Sequence, residues 1–174
     1  MGGVVSLLYS ATYPGRVRRL IVGDSNLTTS SERVAGFRKL ALRPAESYAT
    51  RDELIAHYKL NPNETNAPAD VIRYLADHDA REGTDQLWRQ KFDRNFYSQR
   101  EWVHGFACWN DIKIPVLLIK AGLSDRITPE IIAQVKERCP QVQVVTVANS
   151  YHHVMLDNPG EFISAVRTFV ATTP

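Results

Sequence analysis

The sequence predicts an α/β fold, a parallel sheet of about three strands flanked by helices with a helical insertion after the first strand. Three continuous apolar runs rich in Val, Ile and Leu predict the strands, at residues 16–23, 114–121 and 142–148. Stretches with apolar residues at helical spacing follow each run. Because strands that alternate with helices are typical of a parallel sheet, these observations together define the predicted fold class.

Three helices are predicted to flank this sheet. Residues 2–13 form an apolar stripe that begins with two glycines and stops before Pro14 and Gly15. Thr128 followed by Pro129 predicts the next helix start, with the hydroxyl as the cap and proline at the first helical position. The last helix is predicted over residues 158–170, with one apolar side.

The middle of the chain has a different pattern, polar and helical. Three segments, residues 46–60, 69–81 and 84–96, are predicted as helices, and the block from residue 28 to about residue 110 carries most of the aromatic residues of the chain. We therefore divide the sequence into residues 1–26, a helix and strand of the main domain, residues 27–110, an inserted helical cap, and residues 111–174, the C-terminal strands and final helix.

Composition limits the classes of partner. The formal net charge is +2, with 21 basic and 19 acidic residues interleaved, so nucleic-acid binding is not expected. Cys108 and Cys139 have no CxxC spacing, which argues against a disulfide framework or a zinc site. No apolar run is long enough to cross a bilayer. We expect a cytoplasmic protein that needs no metal or organic cofactor and binds no membrane.

Titratable side chains follow each predicted strand. Asp24 leaves the first strand, Asp125 the second, and His152 and His153 the third. Ligands of α/β proteins bind outside the carboxyl ends of parallel strands, so an imidazole there is well placed for proton transfer. A carboxylate beside it would fix the ring tautomer and stabilise the imidazolium.

Three segments together resemble the α/β-hydrolase family. MGGVVSLLYSATYPGRVRRLIV resembles the second half of the nucleophile elbow, IPVLLIKAGLSDRITPE the strand and loop of the triad acid, and NSYHHVMLDNPGEFISAVRTFV the segment of the triad histidine. The resemblance implies Asp125 as acid and His152 as base, with Tyr151 where the family usually has glycine. Asp24 is the alternative acid, because related hydrolases sometimes carry the carboxylate there, and His153 is the alternative base.

The same resemblance implies that the nucleophile lies upstream of Met1 and that the chain is the C-terminal half of the domain. The backbone N–H at Met1 would then belong to the oxyanion hole. One edge of the sheet would be open, which predicts self-association or pairing with a missing N-terminal segment.

Three functions are consistent with these residues. The first is a serine hydrolase acting on a small apolar ester or related acyl substrate through a nucleophile–His–Asp triad, with the isolated chain inactive for lack of the nucleophile. The second is an Asp-nucleophile epoxide hydrolase or dehalogenase, and the third is an inactive fragment with a structural or interaction role. Aromatic residues of the middle block are the predicted substrate pocket: Trp88, Phe92, Phe96, Trp102 and Trp109.

Overall fold

The computed structural model describes residues 2–27, 31–93, 95–99 and 105–173. The chain forms two compact units. The first comprises Met1–Thr28, Glu64–Asn66 and Val103–Pro174, and the second comprises Thr29–Asn63 and Ala67–Trp102. In chain order, the elements are α1 (Gly2–Thr12), β1 (Leu20–Gly23), α2 (Ser31–Ala41), α3 (Arg51–His57), α4 (Ala69–Asp79), β2 (Ala80–Glu82), β3 (Trp88–Gln90), α5 (Asn95–Gln99), the 3-10 helix η1 (Gly105–Asp111), β4 (Val116–Ala121), α6 (Pro129–Arg138), β5 (Val142–Val147), α7 (Val154–Asp157) and α8 (Pro159–Thr172).

The first unit contains a parallel sheet of three strands in the order β1-β4-β5. Leu118 of β4 lies in the middle, in register with Val22 of β1 and Val144 of β5. β4 is almost wholly buried, as expected for a central strand covered on both faces. The predicted fold class is therefore confirmed, a parallel three-stranded sheet flanked by helices.

Alternate residues of the strands supply two apolar cores, one on each face of the sheet. On one face, Val22 and Leu118 pack in a cluster with Leu7 of α1 and Trp109 of η1. On the other face, Leu117, Ile119 and Phe169 of α8 form a second cluster. Each fully buried side chain of this kind contributes roughly 1.5–3 kcal/mol of transfer free energy. The two-sided burial explains why these strands are continuous apolar runs and lack an alternating pattern.

Side-chain caps fix where α6 and α8 begin. The Thr128 hydroxyl accepts a hydrogen bond from the backbone N–H of Ile131, and the Asn158 side chain accepts one from Glu161. Proline occupies the first turn of both helices, where the missing backbone N–H has no helical partner to lose. Both starts agree with the sequence prediction, and they set the length of the loops after β4 and β5.

The second unit combines helices with an antiparallel hairpin of β2 and β3. The prediction of a helix over residues 84–96 is wrong, because β3 and the hairpin turn occupy most of that stretch. Asp85 accepts hydrogen bonds from the Leu87 backbone N–H and from the Arg89 guanidinium, and Gln86 adopts a φ of 61°. These local bonds favour a turn over the helix that the spacing of the apolar residues suggested.

The units also differ from the predicted division of the sequence. Residues 105–110, which the sequence places in the cap, form most of η1, and η1 packs with α1 in the first unit. Glu64–Asn66 likewise belongs to the first unit, although the chain on both sides of it belongs to the second. Trp109 explains the first difference, because its fully buried ring completes the core beneath the sheet.

Among the described residues, none of the helices combines the length and the apolar character that a membrane span requires.

Candidate active site

Asp24 lies at the carboxyl end of β1 and is completely buried. Its backbone N–H still donates to the Ile119 carbonyl at 2.8 Å, so it continues the pairing of β1 with β4. Its φ is +36°, in the left-handed region that residues with a Cβ adopt at a cost. Such backbone conformations persist where the surroundings enforce them, and they are common at functional sites.

Four donors or cations surround the Asp24 carboxylate. The Ala121 backbone N–H donates to Oδ1 at 3.2 Å, and the Ser124 hydroxyl donates to Oδ2 at 2.8 Å. The Arg126 Nε lies 4.0 Å from Oδ2. His152 supplies the remaining contact, with Nδ1 3.1 Å from Oδ2. A buried carboxylate requires such compensation, because a charged group that leaves water without partners loses a large hydration free energy.

The bond to Asp24 fixes the chemistry of the His152 ring. An ionised carboxylate can only accept hydrogen bonds, so Nδ1 must carry the proton. The lone pair of the neutral ring then lies on Nε2, the atom that would act as a base. The His152 side chain is 25% exposed, so the ring is accessible on one side while the carboxylate behind it is not.

Backbone contacts between the loops after β4 and β5 hold this arrangement. The Gly122 N–H donates to the Val147 carbonyl and the Leu123 N–H to the Ser150 carbonyl, both at 2.9 Å. A Cβ on Gly122 would lie 3.1 Å from the Val147 oxygen, so the approach of the two loops favours glycine. The loop that carries Ser124 is therefore held against the loop that carries His152.

From the sequence, we expect Asp125 beside His152, but the structure does not place it there. Asp125 is exposed, and among the described residues no hydrogen bond or ion pair joins it to the imidazole. The backbone bond at Gly122 fixes the path of this loop. On that path the side chain of Ser124, the residue before Asp125, points to Asp24. The alternative acid, Asp24, is the aspartate that lies beside His152.

The alternative base and the oxyanion-hole residue have different outcomes. The His153 ring contacts the His152 ring edge-on, with centroids 5.3 Å apart, and its residue precedes α7. His152, the first candidate for the base, is the ring bonded to Asp24, and its role as the base stays a prediction. Met1 lies outside the described residues, so the predicted oxyanion-hole role stays a prediction.

The predicted pocket residues do not form one group. Trp109 is fully buried in the core of the first unit, where a substrate cannot reach it, so its assignment to a pocket is wrong. Trp88, Phe92 and Phe96 belong to the second unit, where Phe92 lines a cavity of about 280 Å³ and contacts Phe96 edge-on. Trp102 lies outside the described residues.

Sequence reasoning missed Ser124 and Arg126. Both lie in the loop after β4, on either side of Asp125. The signal that could have found Ser124 is the tight turn after a Gly-Leu pair, but which of three consecutive side chains faces inward depends on the backbone path. That path is set by bonds to β5 and the loop after it, which are distant in the sequence.

Other reactive groups do not extend the site. No cluster of three metal-ligating side chains occurs in the described part of the chain. Burial raises the pKa of the Cys108 and Cys139 thiols. A thiol with a raised pKa is a poor nucleophile at neutral pH, so neither cysteine resembles an activated catalytic thiol.

The parallel sheet, with a buried carboxylate and an imidazole bonded to each other at the carboxyl ends of its strands, defines an α/β protein of the class in which ligands bind at that edge of the sheet. A family model described as alpha/beta hydrolase fold matches residues 1–159. The chain belongs to the alpha/beta hydrolase fold family, and its relatives include esterases and lipases.

This chain spans 57–62% of the length of the proteins that it is compared with below. It is 26% identical over 185 residues to the sn-1-specific diacylglycerol lipase ABHD11 of Mus musculus, covering 98% of this chain and 57% of the lipase. It is similar in fold to the solved E-2-(acetamidomethylene)succinate hydrolase, with a TM-score of 0.77, 20% identity, and coverage of 96% of this chain and 62% of that one. The M. tuberculosis esterase Rv0045c gives a TM-score of 0.77 at 18% identity, with coverage of 98% and 60%.

Proposed function

We propose that this chain supplies the base and the acid of a nucleophile–His–Asp triad that hydrolyses a small apolar ester. The supporting observation is the 3.1 Å bond from His152 Nδ1 to the buried carboxylate of Asp24. It leaves Nε2 of the partly exposed His152 ring as the proton acceptor. Asp24 replaces Asp125 in the role of the acid, and the nucleophile is a residue outside the 174.

The chemistry follows from that orientation. Nε2 takes the proton of the nucleophile as the nucleophile bonds to the ester carbonyl carbon, and the Asp24 carboxylate stabilises the imidazolium that forms. The imidazolium then gives this proton to the departing alcohol as the ester C–O bond breaks. In the second half-reaction, His152 activates a water in the same way, and the acyl group leaves as a carboxylic acid.

The names of the relatives support an ester substrate over an epoxide or a haloalkane. One relative is called a diacylglycerol lipase and another an esterase, although the chain covers less than two thirds of the length of either. We therefore propose a serine nucleophile. An aspartate nucleophile would form an alkyl ester and would not react with a fluorophosphonate, so the two chemistries are separable.

A labelling experiment tests the proposal. The 174-residue chain, and a version extended by the codons that precede Met1 in its gene, are treated with a fluorophosphonate probe and assayed with short p-nitrophenyl esters. We expect labelling and hydrolysis in the extended version, and loss of both in its His152→Gln variant. Thr172→Val is the control, because Thr172 lies on the last turn of α8 and bonds within its own helix.

Three results would contradict the proposal. Labelling of a serine in the 174-residue chain would place the nucleophile within it. Unchanged hydrolysis by the His152→Gln variant would remove the proposed base. An extended protein that folds but neither reacts nor hydrolyses esters would favour the inactive structural role instead.

We also propose a partner surface on the first unit, consistent with the open edge that the sequence predicts. In the described residues, β1 pairs on one side with β4 and with no strand on the other. Val5, Tyr9 and Tyr13 lie four residues apart along α1 and its end, and are each about half exposed, at 58%, 47% and 52%. An open strand edge and an exposed apolar stripe each favour association with another chain segment.

The proposed occupant is the N-terminal segment of the hydrolase fold, because the matched relatives extend well beyond the length that this chain covers. The polypeptide encoded before Met1, added in trans, should form a complex with the wild-type chain that Tyr9→Lys abolishes and that Val170→Lys, on α8, does not. Sedimentation measures both. A chain that stays monomeric with the segment present, or that forms homodimers sensitive to Tyr9→Lys, would contradict this occupant.

A further inference from the structure

A second carboxylate, Asp157 at the end of α7, collects three hydrogen bonds. Its Oδ2 accepts the backbone N–H of Tyr151 at 2.7 Å. Its Oδ1 accepts the Thr65 hydroxyl at 2.5 Å and the Asn66 backbone N–H at 2.9 Å. Tyr151 directly precedes His152, so one side of this carboxylate holds the backbone of the catalytic loop.

Asn66 makes a further bond to the same loop. Its side-chain Nδ2 donates to the Asn149 carbonyl at 2.8 Å. Asn149 adopts a φ of 48°, which turns the chain sharply after β5. The turn between β5 and His152 is therefore held at Asn149 and at Tyr151, by bonds that lead to Thr65, Asn66 and Asp157.

Thr65 and Asn66 are placed here by their contacts and not by their neighbours in the chain. The segment Glu64–Asn66 belongs to the first unit, whereas the residues on both sides of it belong to the second. Two of its residues account for three of the four bonds described above. One of these bonds goes directly to the loop after β5, and the other two go to Asp157, which itself bonds that loop at Tyr151.

We propose that Thr65, Asn66 and Asp157 form a clasp that positions His152 against Asp24. The inference rests on the function proposed for His152, since it gives the clasp its purpose. The three are positioning residues, because they act through the backbone at Asn149 and Tyr151. A shift of about 1 Å in a reacting group can cost a hundredfold in rate, so a fixed loop is valuable at this point.

The clasp can be tested by replacing a single carboxylate oxygen of Asp157 with an NH2 group. A carboxylate is an acceptor at both oxygens, whereas an Asn side chain has one acceptor and one NH2 donor. In Asp157→Asn, at least one of the three donors must therefore face another donor. Thr65→Val removes one hydroxyl at nearly constant shape, and Thr65→Ser restores it.

The experiment uses nuclear magnetic resonance on the full 174-residue chain. Hydrogen exchange of the Tyr151 amide reports on the clasp, and the 15N shifts of the His152 ring report on whether Nδ1 carries the proton. In Asp157→Asn we expect Tyr151 exchange to be about tenfold faster or more, and the Nδ1–H signature of His152 to weaken. Thr65→Val should give the same changes to a smaller degree, and Thr65→Ser should return both to wild type. Thr172→Val is the matched control and should change neither.

The outcomes separate the clasp from the proposed function. Wild-type Tyr151 exchange in Asp157→Asn would overturn the clasp. Faster exchange with an unchanged His152 signature would show that the bonds stabilise the loop without positioning the ring, which also overturns the proposal. Failure to hydrolyse esters leaves these readouts intact, because neither depends on catalysis. A variant that fails to fold is identified by its amide spectrum, and the milder Thr65 pair then decides.

Discussion

Asp24 and Asp125 both follow a strand of the same parallel sheet, yet their surroundings are opposite. Asp24 is completely buried, has a left-handed backbone and accepts bonds from Ala121, Ser124 and His152. Asp125 is exposed. The resemblance to a family motif selects the exposed Asp125 as the acid, whereas burial and hydrogen bonding favour Asp24. The inward direction of a side chain at a strand exit therefore depends on the path of its loop.

The largest expected effect separates these two aspartates by activity. In the extended protein, Asp24→Asn should lower kcat for ester hydrolysis about a thousandfold or more, because an amide supports the wrong tautomer and does not stabilise the imidazolium. Asp125→Asn should stay within about threefold, as an exposed surface change. Steady-state kinetics with p-nitrophenyl esters measure both. The reverse ranking would return the role of the acid to Asp125.

Gly3 of α1 packs closely against Ser25, in the turn after β1. A Cβ on Gly3 would lie 2.0 Å from the Ser25 Oγ and 2.8 Å from its Cβ, so rotation of the hydroxyl alone cannot relieve the clash. Gly3→Ala should cost about 1–3 kcal/mol of unfolding free energy in urea, the usual range for overpacking. Gly2→Ala is the control, since a Cβ on Gly2 would meet nothing within 4 Å. Equal stability of the two variants would show that α1 does not press on this turn.

Ser124 marks the point where the two loops meet. Ser124→Ala removes the hydroxyl that donates to Asp24, and a hydrogen bond to a charged group contributes about 1.5–3 kcal/mol. We expect kcat of the extended protein to fall at least tenfold, with little change in KM. Ser164→Ala, on the exposed side of α8, is the control and should have no effect. Full activity of Ser124→Ala would mean that Asp24 is held without this bond.

The smallest effect concerns a third aspartate, Asp85, in the hairpin of the second unit. Its hydrogen bond with Arg89 lowers the pKa of Asp85 from 3.8 to about 2. Because the pKa is lowered on folding, the bond stabilises the folded state fully above about pH 4. This stabilisation is lost as the pH falls through about 2. Carbon-detected titration of the side chain should follow this course, with a return towards 3.8 in Arg89→Gln. Titration of the wild type near 3.8 would contradict the pairing.

The sequence predicts the parts of the fold that depend on local patterns. β1, β4 and β5 follow from apolar runs, and the starts of α6 and α8 follow from Thr128 and Asn158 as caps. The hairpin at Trp88 was missed because side-chain bonds of Asp85 decide between turn and helix. The place of His152 after a strand predicts a role in the site, and that role stays a prediction.

Sequence reasoning named Asp24 only as the alternative acid, and it did not single out Asp157. Asp24 meets Ser124 and His152 across separations of 100 and 128 residues, and Asp157 meets Asn66 across 91. Such contacts follow from the register of parallel strands and from loops that bond to one another. The spacing of residues along the sequence does not predict these contacts.

The tautomer of the His152 ring decides whether Asp24 is the acid that orients it. In the 15N spectrum of the neutral ring, we expect a proton on Nδ1 in the wild-type chain and in Asp125→Asn, and loss of that preference in Asp24→Asn. A preference that survives Asp24→Asn and disappears in Asp125→Asn would show that the ring is oriented by the other aspartate.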